Sequence, residues 1–321
     1  MTGVVVVWSG ERPRYEAIPI HGELILGRER LDPDDIEISR THVQLAQRGS
    51  GLRVTDLGGR NGTLVNGHHV REETIVVPTW PAIIRVGRTI CIAVADIAPY
   101  RDLTLIHRNT IAIGGTLAEC CRRVDAAALA EEHLALLGTL AVGRALAQGY
   151  ADRIGGARLE AHLDPMTTLP LERSIDRSCS PRTMIIVLDR PITDPDRVEL
   201  EQWLETDVRI VTVARCSDSY KYLSKELRAR VMPHVVEIPA LRYDELPATI
   251  VHVIAQRAPT LRIHASLIEA VLLQLGHGEE RVMRWLPKAV DELGERELIH
   301  GSDFEDYLAR DAARRNCLVG A

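Results

Sequence analysis

The sequence predicts a multidomain protein: an N-terminal all-β sandwich followed by an α/β domain with a helical subdomain at its end. Three observations predict it. The length of 321 residues exceeds the usual span of one hydrophobic core. Up to about Asp96, short runs rich in Val, Ile and Leu are separated by Gly, Pro, Asn and Asp turns, the spacing of a sandwich or barrel. From Ile111 onward, Ala- and Arg-rich helical segments alternate with short apolar strands, the pattern of a mostly parallel sheet.

The elements follow in order. Strands are expected at "VVVVW", "ELILG", "HVQLA", "LRVTDLG", "TIVVP", "IIRVG" and "TICIAVAD", filling a first domain over residues 1–98. The stretch 99–110 reads as a linker. The α/β segment, 111–239, carries strands at "LALLG", "MIIVLD" and "VRIVTVA", and 240–321 reads as a helical subdomain and tail. Hydrophobic residues make up 45% of the chain but aromatics only 4%, so the cores must rest on Val, Leu, Ile and Ala.

A formal charge of -6 and a pI near 6.1 give no global attraction to nucleic acid or anionic membranes. Residues 1–98 hold 11 Arg, no Lys and 12 Asp plus Glu, so an anion site there has to be local. The six cysteines (Cys91, Cys120, Cys121, Cys179, Cys216 and Cys317) form no C-x-x-C pair and have no zinc-like His partners. They are expected to be reduced thiols of a cytoplasmic protein. The opening "MTGVVVVWSGERPR" lacks a basic n-region, and no segment reaches 18 apolar residues, so a soluble chain is expected. His68 and His69 are adjacent in a strand and point to opposite faces, which suits a solvated hairpin and not a metal site.

The first domain has polar residues at its loop positions. "LGRER" offers Gly27 and Arg28, "ISRTHVQL" offers Ser39, Arg40 and His42, and "DLGGRNGTLVNG" offers Arg60, Asn61, Gly62, Asn66 and Gly67. A guanidinium, a hydroxyl and a carboxamide converging on one point make a receptor for a phosphate dianion, through forked, charge-assisted hydrogen bonds. The glycines permit tight turns with positive φ, and Asn can bond its neighbouring backbone there. In their order, G-R, S-x-x-H and N-G-T-x-x-N-G over residues 3–96, these motifs resemble the forkhead-associated (FHA) domain. The resemblance implies an eleven-strand sandwich that binds phosphothreonine peptides through loops at one end. It places Arg28 and Ser39 on the phosphate, Arg40 and Arg60 beside it, and Asn61 on the peptide backbone. It gives His42 the task of buttressing the loops and leaves Asn66 to organise its own turn.

The stretch "GTLAVGRA" in the second domain keeps Gly138 and Gly143 at the spacing of a phosphate-binding P-loop, after an apolar strand and before a helix. Arg144 replaces its lysine, and Ala145 replaces the hydroxyl that would ligate magnesium. The apolar run "TMIIVLDRPITD" ends in Asp189, followed by Arg190 where a glutamate would polarise water. With flanking segments in matching order, the span Ile111–Leu308 resembles the AAA+ domain of sigma-54-dependent transcriptional activators. The resemblance implies that Asp189 is the Walker B aspartate, Arg230 one of two arginine fingers with Ser224 at the other position, and Arg284 the arginine of sensor 2.

Two features of that family are missing from the pattern. Only 18 residues separate Leu163 from Arg182, too few for the long insertion carrying the G-A-F-T-G-A loop. No helix-turn-helix follows the helical subdomain, so direct DNA contact is not expected. The glycine loop is therefore expected to be a vestigial nucleotide site, with no hydrolysis and no cofactor, ATP with magnesium remaining the alternative ligand. Thr167 and Thr168 lie in "LDPMTTLPLER", an expected surface loop where a kinase could act.

The function expected is a phosphothreonine-dependent signalling adaptor. Its partner would be a Ser/Thr kinase or a kinase substrate, and the AAA+-like domain would be a platform for interaction or homo-oligomeric assembly. The alternative is an ATP-binding or ATPase transcriptional regulator.

Overall fold

In the computed structural model of the chain, the described residues are 1–70, 74–77, 81–101, 106–108, 111–113, 115–167, 169, 181–240, 242–276, 278–294 and 296–319. The chain forms two compact units, one of Met1–Leu105 together with Arg242–Ala321, the other of Ile106–Leu241. In chain order the first segment holds β1 (Gly3–Ser9), β2 (Arg12–Pro19), β3 (Glu23–Leu26), α1 (Arg28–Leu31), β4 (Val43–Arg48), β5 (Gly51–Asp56), β6 (Thr63–Val65), β7 (His68–Val70), β8 (Thr74–Val77), β9 (Ala82–Val86) and β10 (Thr89–Val94). The inserted unit holds β11 (Ile106–Arg108), β12 (Ile111–Ile113), α2 (Gly115–Leu129), β13 (Leu134–Leu137), α3 (Leu140–Ile154), β14 (Arg158–Leu163), β15 (Thr183–Leu188), α4 (Asp194–Leu204), β16 (Arg209–Ala214), α5 (Lys225–Val231) and β17 (His234–Glu237). The last segment adds α6 (Leu246–Arg257), β18 (Arg262–Ile263), α7 (Ala265–Leu275), α8 (Glu279–Leu293), β19 (Leu298–Ile299) and α9 (Gly301–Val319).

The ten strands of the first segment make a sandwich of two antiparallel sheets, ordered β2-β1-β10-β9-β6-β7 and β3-β4-β5-β8. The resemblance implied eleven, and ten lie among the described residues. Val4, Val6, Leu26, Val43, Leu45, Leu52, Val54, Val65, Ile84 and Cys91 meet between the sheets. Burial there pushes the Cys91 thiol up to about 12.

Strands β1 and β10 are buried at every residue, although one face of a sandwich sheet normally meets water. Their second face, carrying Val5, Val7, Ile90 and Ile92, is also closed to solvent. Helix α7 packs against β1, β9 and β10, and α6 packs against β2. Burying each such side chain contributes about 1.5–3 kcal/mol. "VVVVW" lacks alternation because both of its faces are interior.

Polar contacts fasten the same layer. Arg85 on β9 pairs with Glu269 on α7 at 2.5 Å, Arg262 pairs with Glu11, and the Tyr15 hydroxyl donates to the Asp244 carbonyl. Arg242 forks onto Asp244 at 2.8 and 2.9 Å and lies over the Tyr100 ring. Two short strands, β18 and β19, interrupt the helical end and pair in parallel.

The inserted unit is an α/β domain. Its sheet is fully parallel, ordered β14-β15-β16-β13-β17. Helices α2 and α3 cover one face, while Leu200, Trp203, Leu227 and Val231 of α4 and α5 join Met184, Ile186 and Ile210 in the core on the other. Ile106–Arg108, inside the expected linker, form a strand paired with Ile111–Ile113. No described helix is long and apolar enough to cross a membrane.

Candidate functional site

The loops at one end of the sandwich are stitched together by backbone and imidazole. The Arg28 N–H donates to the Ser39 carbonyl at 2.9 Å, so the two sequence-distant residues are neighbours. A Cβ on Gly27 would lie 1.8 Å from the Arg40 carbonyl oxygen, so only glycine permits this approach. His42 is fully buried: its Nδ1 accepts from the Ser39 N–H at 3.1 Å, which leaves the proton on Nε2 to be donated to the Gly62 carbonyl at 3.1 Å. Gly59 packs against the same ring, where a Cβ would come within 2.4 Å. His42 thus joins the Ser39 loop to the Arg60–Asn61 loop.

The Arg28 Nε donates to the Ile38 carbonyl at 2.8 Å, which fixes the guanidinium alongside the loop. The Asn61 carboxamide donates to the Glu37 carbonyl at 3.2 Å. Arg40, Arg60 and Asn61 are exposed, and Ser39 and Arg28 are half-buried. Among the described residues, neither the Arg40 and Arg60 guanidiniums nor the Ser39 hydroxyl has a bonding partner. Two guanidiniums and a hydroxyl thus stand without protein partners on the segments that Arg28 and His42 join, and charge-assisted donors of this kind suit a phosphate dianion. Gly62, Asn66 and Gly67 have φ of 68, 49 and 80°, and the Asn66 Oδ1 accepts from the Ile83 N–H at 2.9 Å while the Asn66 N–H donates to the Ile83 carbonyl at 2.8 Å, so Asn66 ties its turn to β9 instead of closing that turn on itself as expected.

Sequence reasoning missed Asp35. This fully buried carboxylate accepts from the Glu37 N–H at 2.9 Å and from the Arg88 N–H at 2.8 Å, holding the Ser39 loop to the β9–β10 turn. The signal available was a D-D pair inside a G-R to S-x-x-H interval, which is too common to single out.

The glycine segment of the α/β unit is built differently. Helix α3 starts at Leu140, with Thr139 as its N-cap and Gly138 just before that, so most of the residues that would form a phosphate cradle are its first turn. The Gly143 N–H donates to the Thr139 carbonyl at 2.9 Å, and the Gly138 N–H to the Ala214 carbonyl at 2.8 Å. Both glycines serve packing: a Cβ on Gly143 would lie 2.4 Å from Val213, and one on Gly138 2.5 Å from the Ile238 carbonyl oxygen.

The charged residues of this segment are spent as well. Arg144 pairs with Glu160, and Ala145 is buried. Asp189 is bracketed by the His162 Nε2 at 2.9 Å and the Arg215 Nη2 at 3.4 Å. Arg190 meets Asp196 at 2.5 Å and also donates to the carbonyls of Asp164, Pro191 and Thr167. Burial alone would raise the Asp196 carboxyl. Bonds from Arg190, from the Thr193 hydroxyl and from the Thr193 and Leu169 N–H groups outweigh it and hold the carboxyl at about 2.

Arg230 bonds the Glu205 carboxylate at 2.7 Å and lines a cavity with Glu131, Glu132 and His133. Ser224 caps α5 by accepting from the Leu227 N–H. Arg284 is exposed on α8, which belongs to the other compact unit. The Thr167 hydroxyl donates to the His162 carbonyl at 2.6 Å, and Thr168 lies outside the described residues. Among the described residues no group of His, Cys, Asp and Glu could hold a metal ion.

Residues 24–90 match the family model of the FHA domain, so the N-terminal sandwich carries an FHA domain. Solved structures similar to it include the FhaA FHA domain in complex with the intracellular domain of Rv3910, 26% identical, covering 29% of this chain and 99% of that one with a TM-score of 0.23. The FHA domain of the CT664 protein from Chlamydia trachomatis is 18% identical, covering 29% of this chain and 95% of that one, TM-score 0.24. A single-substitution form of RuvB from Thermotoga maritima is 15% identical, covering 60% of this chain and 69% of that one, TM-score 0.43. No curated protein matches the chain.

Proposed function

We propose that the chain is a phosphothreonine-dependent adaptor without ATPase activity. The observation that carries this reading is the set of unspent donors at Ser39, Arg40 and Arg60, on segments joined by Arg28 and His42 inside the stretch that matches the FHA domain. Phosphorylation of a partner supplies a dianion to this cluster, and dephosphorylation returns the donors to water, so capture is reversible. Arg28 and Ser39 hold the phosphate, Arg40 and Arg60 flank it, and Asn61 takes the peptide backbone. The partner is a phosphothreonine protein of the Ser/Thr kinase class or one of its substrates, met in the cytoplasm.

In this reading the α/β unit is an AAA+ relative of the sigma-54 activators that serves as an interaction or assembly platform, with no nucleotide cofactor. The internal pairing of Arg144, Asp189 and Arg190 supports it. Screening the full chain against a degenerate phosphothreonine peptide library and its unphosphorylated counterpart tests the proposal. Retention of phosphorylated peptides alone supports it, and equal retention of both libraries refutes it.

A further inference from the structure

The β9–β10 hairpin faces two ways. At its turn, Arg88 gives its N–H and its Nε to Asp35, the buried carboxylate that also takes the Glu37 N–H. Gly87, with φ of 56°, sits so close to this loop that a Cβ would come within 2.8 Å of the Asp35 Oδ2 and 2.9 Å of Ile38. Three residues back along β9, Arg85 reaches the opposite way and pairs with Glu269 in the middle of α7. That pairing is incomplete, because the buried Glu269 Oε1 has no partner among the described residues. The loop touched by Arg88 presents Ser39. The helix touched by Arg85 closes the outer face of the sandwich.

We propose that phosphopeptide capture and the seating of α7 on the sandwich are linked through Arg85 and Arg88 of this hairpin. The proposal rests on the phosphothreonine reading above. The physical link is shared ordering of one loop. Residues 35–39 are held from one side by Arg28, which bonds the Ile38 carbonyl, and from the other by Arg88 of the hairpin turn, which bonds Asp35. A phosphate on Arg28 and Ser39 tightens the first hold, and a seated α7 fixes the hairpin that supplies the second. Binding to a preordered loop costs less conformational entropy, so each event favours the other. Linkage is reciprocal, and the effect must be visible from both ends. Helix α7 is suited to respond because its ion pair leaves a buried carboxylate oxygen unpaired, which lowers the cost of local opening there. Through this link, a phosphorylated partner would reset the helical layer of the unit that reads it.

Amide hydrogen exchange on the full chain tests the link, with the degenerate phosphothreonine library as probe and the unphosphorylated library as control. The phosphorylated library is expected to slow exchange in 28–40 and 57–62, and also by about threefold or more in 83–90 and 265–275, a change of roughly 0.65 kcal/mol at 0.59 kcal/mol per e-fold. Slowing confined to 28–40 and 57–62 would overturn the link while leaving the phosphopeptide reading intact. No slowing anywhere would overturn both. From the other end, Glu269→Gln, which touches no pocket residue, should weaken phosphopeptide affinity several-fold. Unchanged affinity in a folded Glu269→Gln protein would also overturn the link.

Discussion

Two glycine-punctuated segments of this chain carry arginine near a turn, one around Gly27 and Gly62, the other around Gly138 and Gly143, and they differ in what their polar groups do. In the sandwich Gly27 brings backbone against backbone, Gly62 turns the chain at positive φ, and Arg40, Arg60 and the Ser39 hydroxyl remain without partners among the described residues. In the α/β unit the glycines let a helix lie against a strand, the amides bond carbonyls, and Arg144 and Arg190 bond carboxylates. Motif spacing is the same kind of signal in both segments. In the proposed reading, the donors left unspent make the first segment a receptor, and the donors consumed internally make the second a scaffold.

The sharpest way to break this comparison is to restore the glutamate that a hydrolytic site would need. Arg190→Glu removes the partner of the fully buried Asp196 and sets a second carboxylate beside it. It is expected to cost about 3–5 kcal/mol of stability without creating turnover. Thermal unfolding and a phosphate-release assay check both parts. Phosphate release above background from a stable Arg190→Glu protein would mean the site is latent and not rewired.

Much of the sandwich was legible. The strand runs were delimited by turn residues, and of the residues singled out, Ser39, Arg40, Arg60 and Asn61 lie on loops that the structure joins through His42 and Asn61, while Arg28 opens α1 and bonds the Ser39 and Ile38 carbonyls. The eventual use of Gly138–Gly143 was hidden, because a G-x4-G spacing serves a cradle or a first helical turn equally. Only Val213 and Ile238, strands away, decide between them. The covering of β1 and β10 by α7, beside α6 on β2, was signalled by "VVVVW", whose missing alternation implies two buried faces. Sequence order alone attaches those helices to the preceding α/β segment, whereas burial groups them with the sandwich. Arg190 reads locally as the loss of a catalytic residue, and only the fold reveals the loop it holds.

Next in size is the pocket itself. Arg28→Ala should lower phosphopeptide affinity by more than about a hundredfold, roughly 2.7 kcal/mol or more, and Arg28→Lys should restore little of it, because an ammonium lacks the planar fork. Fluorescence anisotropy with a library-selected phosphopeptide reads this, and near-normal affinity in Arg28→Ala would move the site elsewhere.

A smaller effect separates the two segments by pH. The Asp196 carboxyl is held at about 2, below its unfolded value of 3.8, so its contribution to stability is present above about pH 4 and is lost as pH falls through the range from 4 to 2. Unfolding of the α/β unit followed by tryptophan fluorescence, with Trp203 on α4 as reporter, should show this loss, and Asp196→Asn should flatten it. An unchanged acid profile in that variant would assign the acid sensitivity to other carboxylates.

The smallest concerns Gly143. Alanine is the better helix former, by about 1 kcal/mol, yet its Cβ would meet Val213 at 2.4 Å. Gly143→Ala should therefore be net destabilising by about 1–2 kcal/mol. A more stable variant would show that the helix does not press on β16 as described.

The central claim is that one segment is a receptor and the other a scaffold, and calorimetry on a single preparation of the full chain tests it most directly. The protein is titrated with a library-selected phosphothreonine peptide and, separately, with ATP and magnesium. The account expects saturable heat from the peptide, none from its unphosphorylated form, and none from ATP. Saturable ATP heat without peptide heat would contradict it, reversing the roles assigned to the two segments.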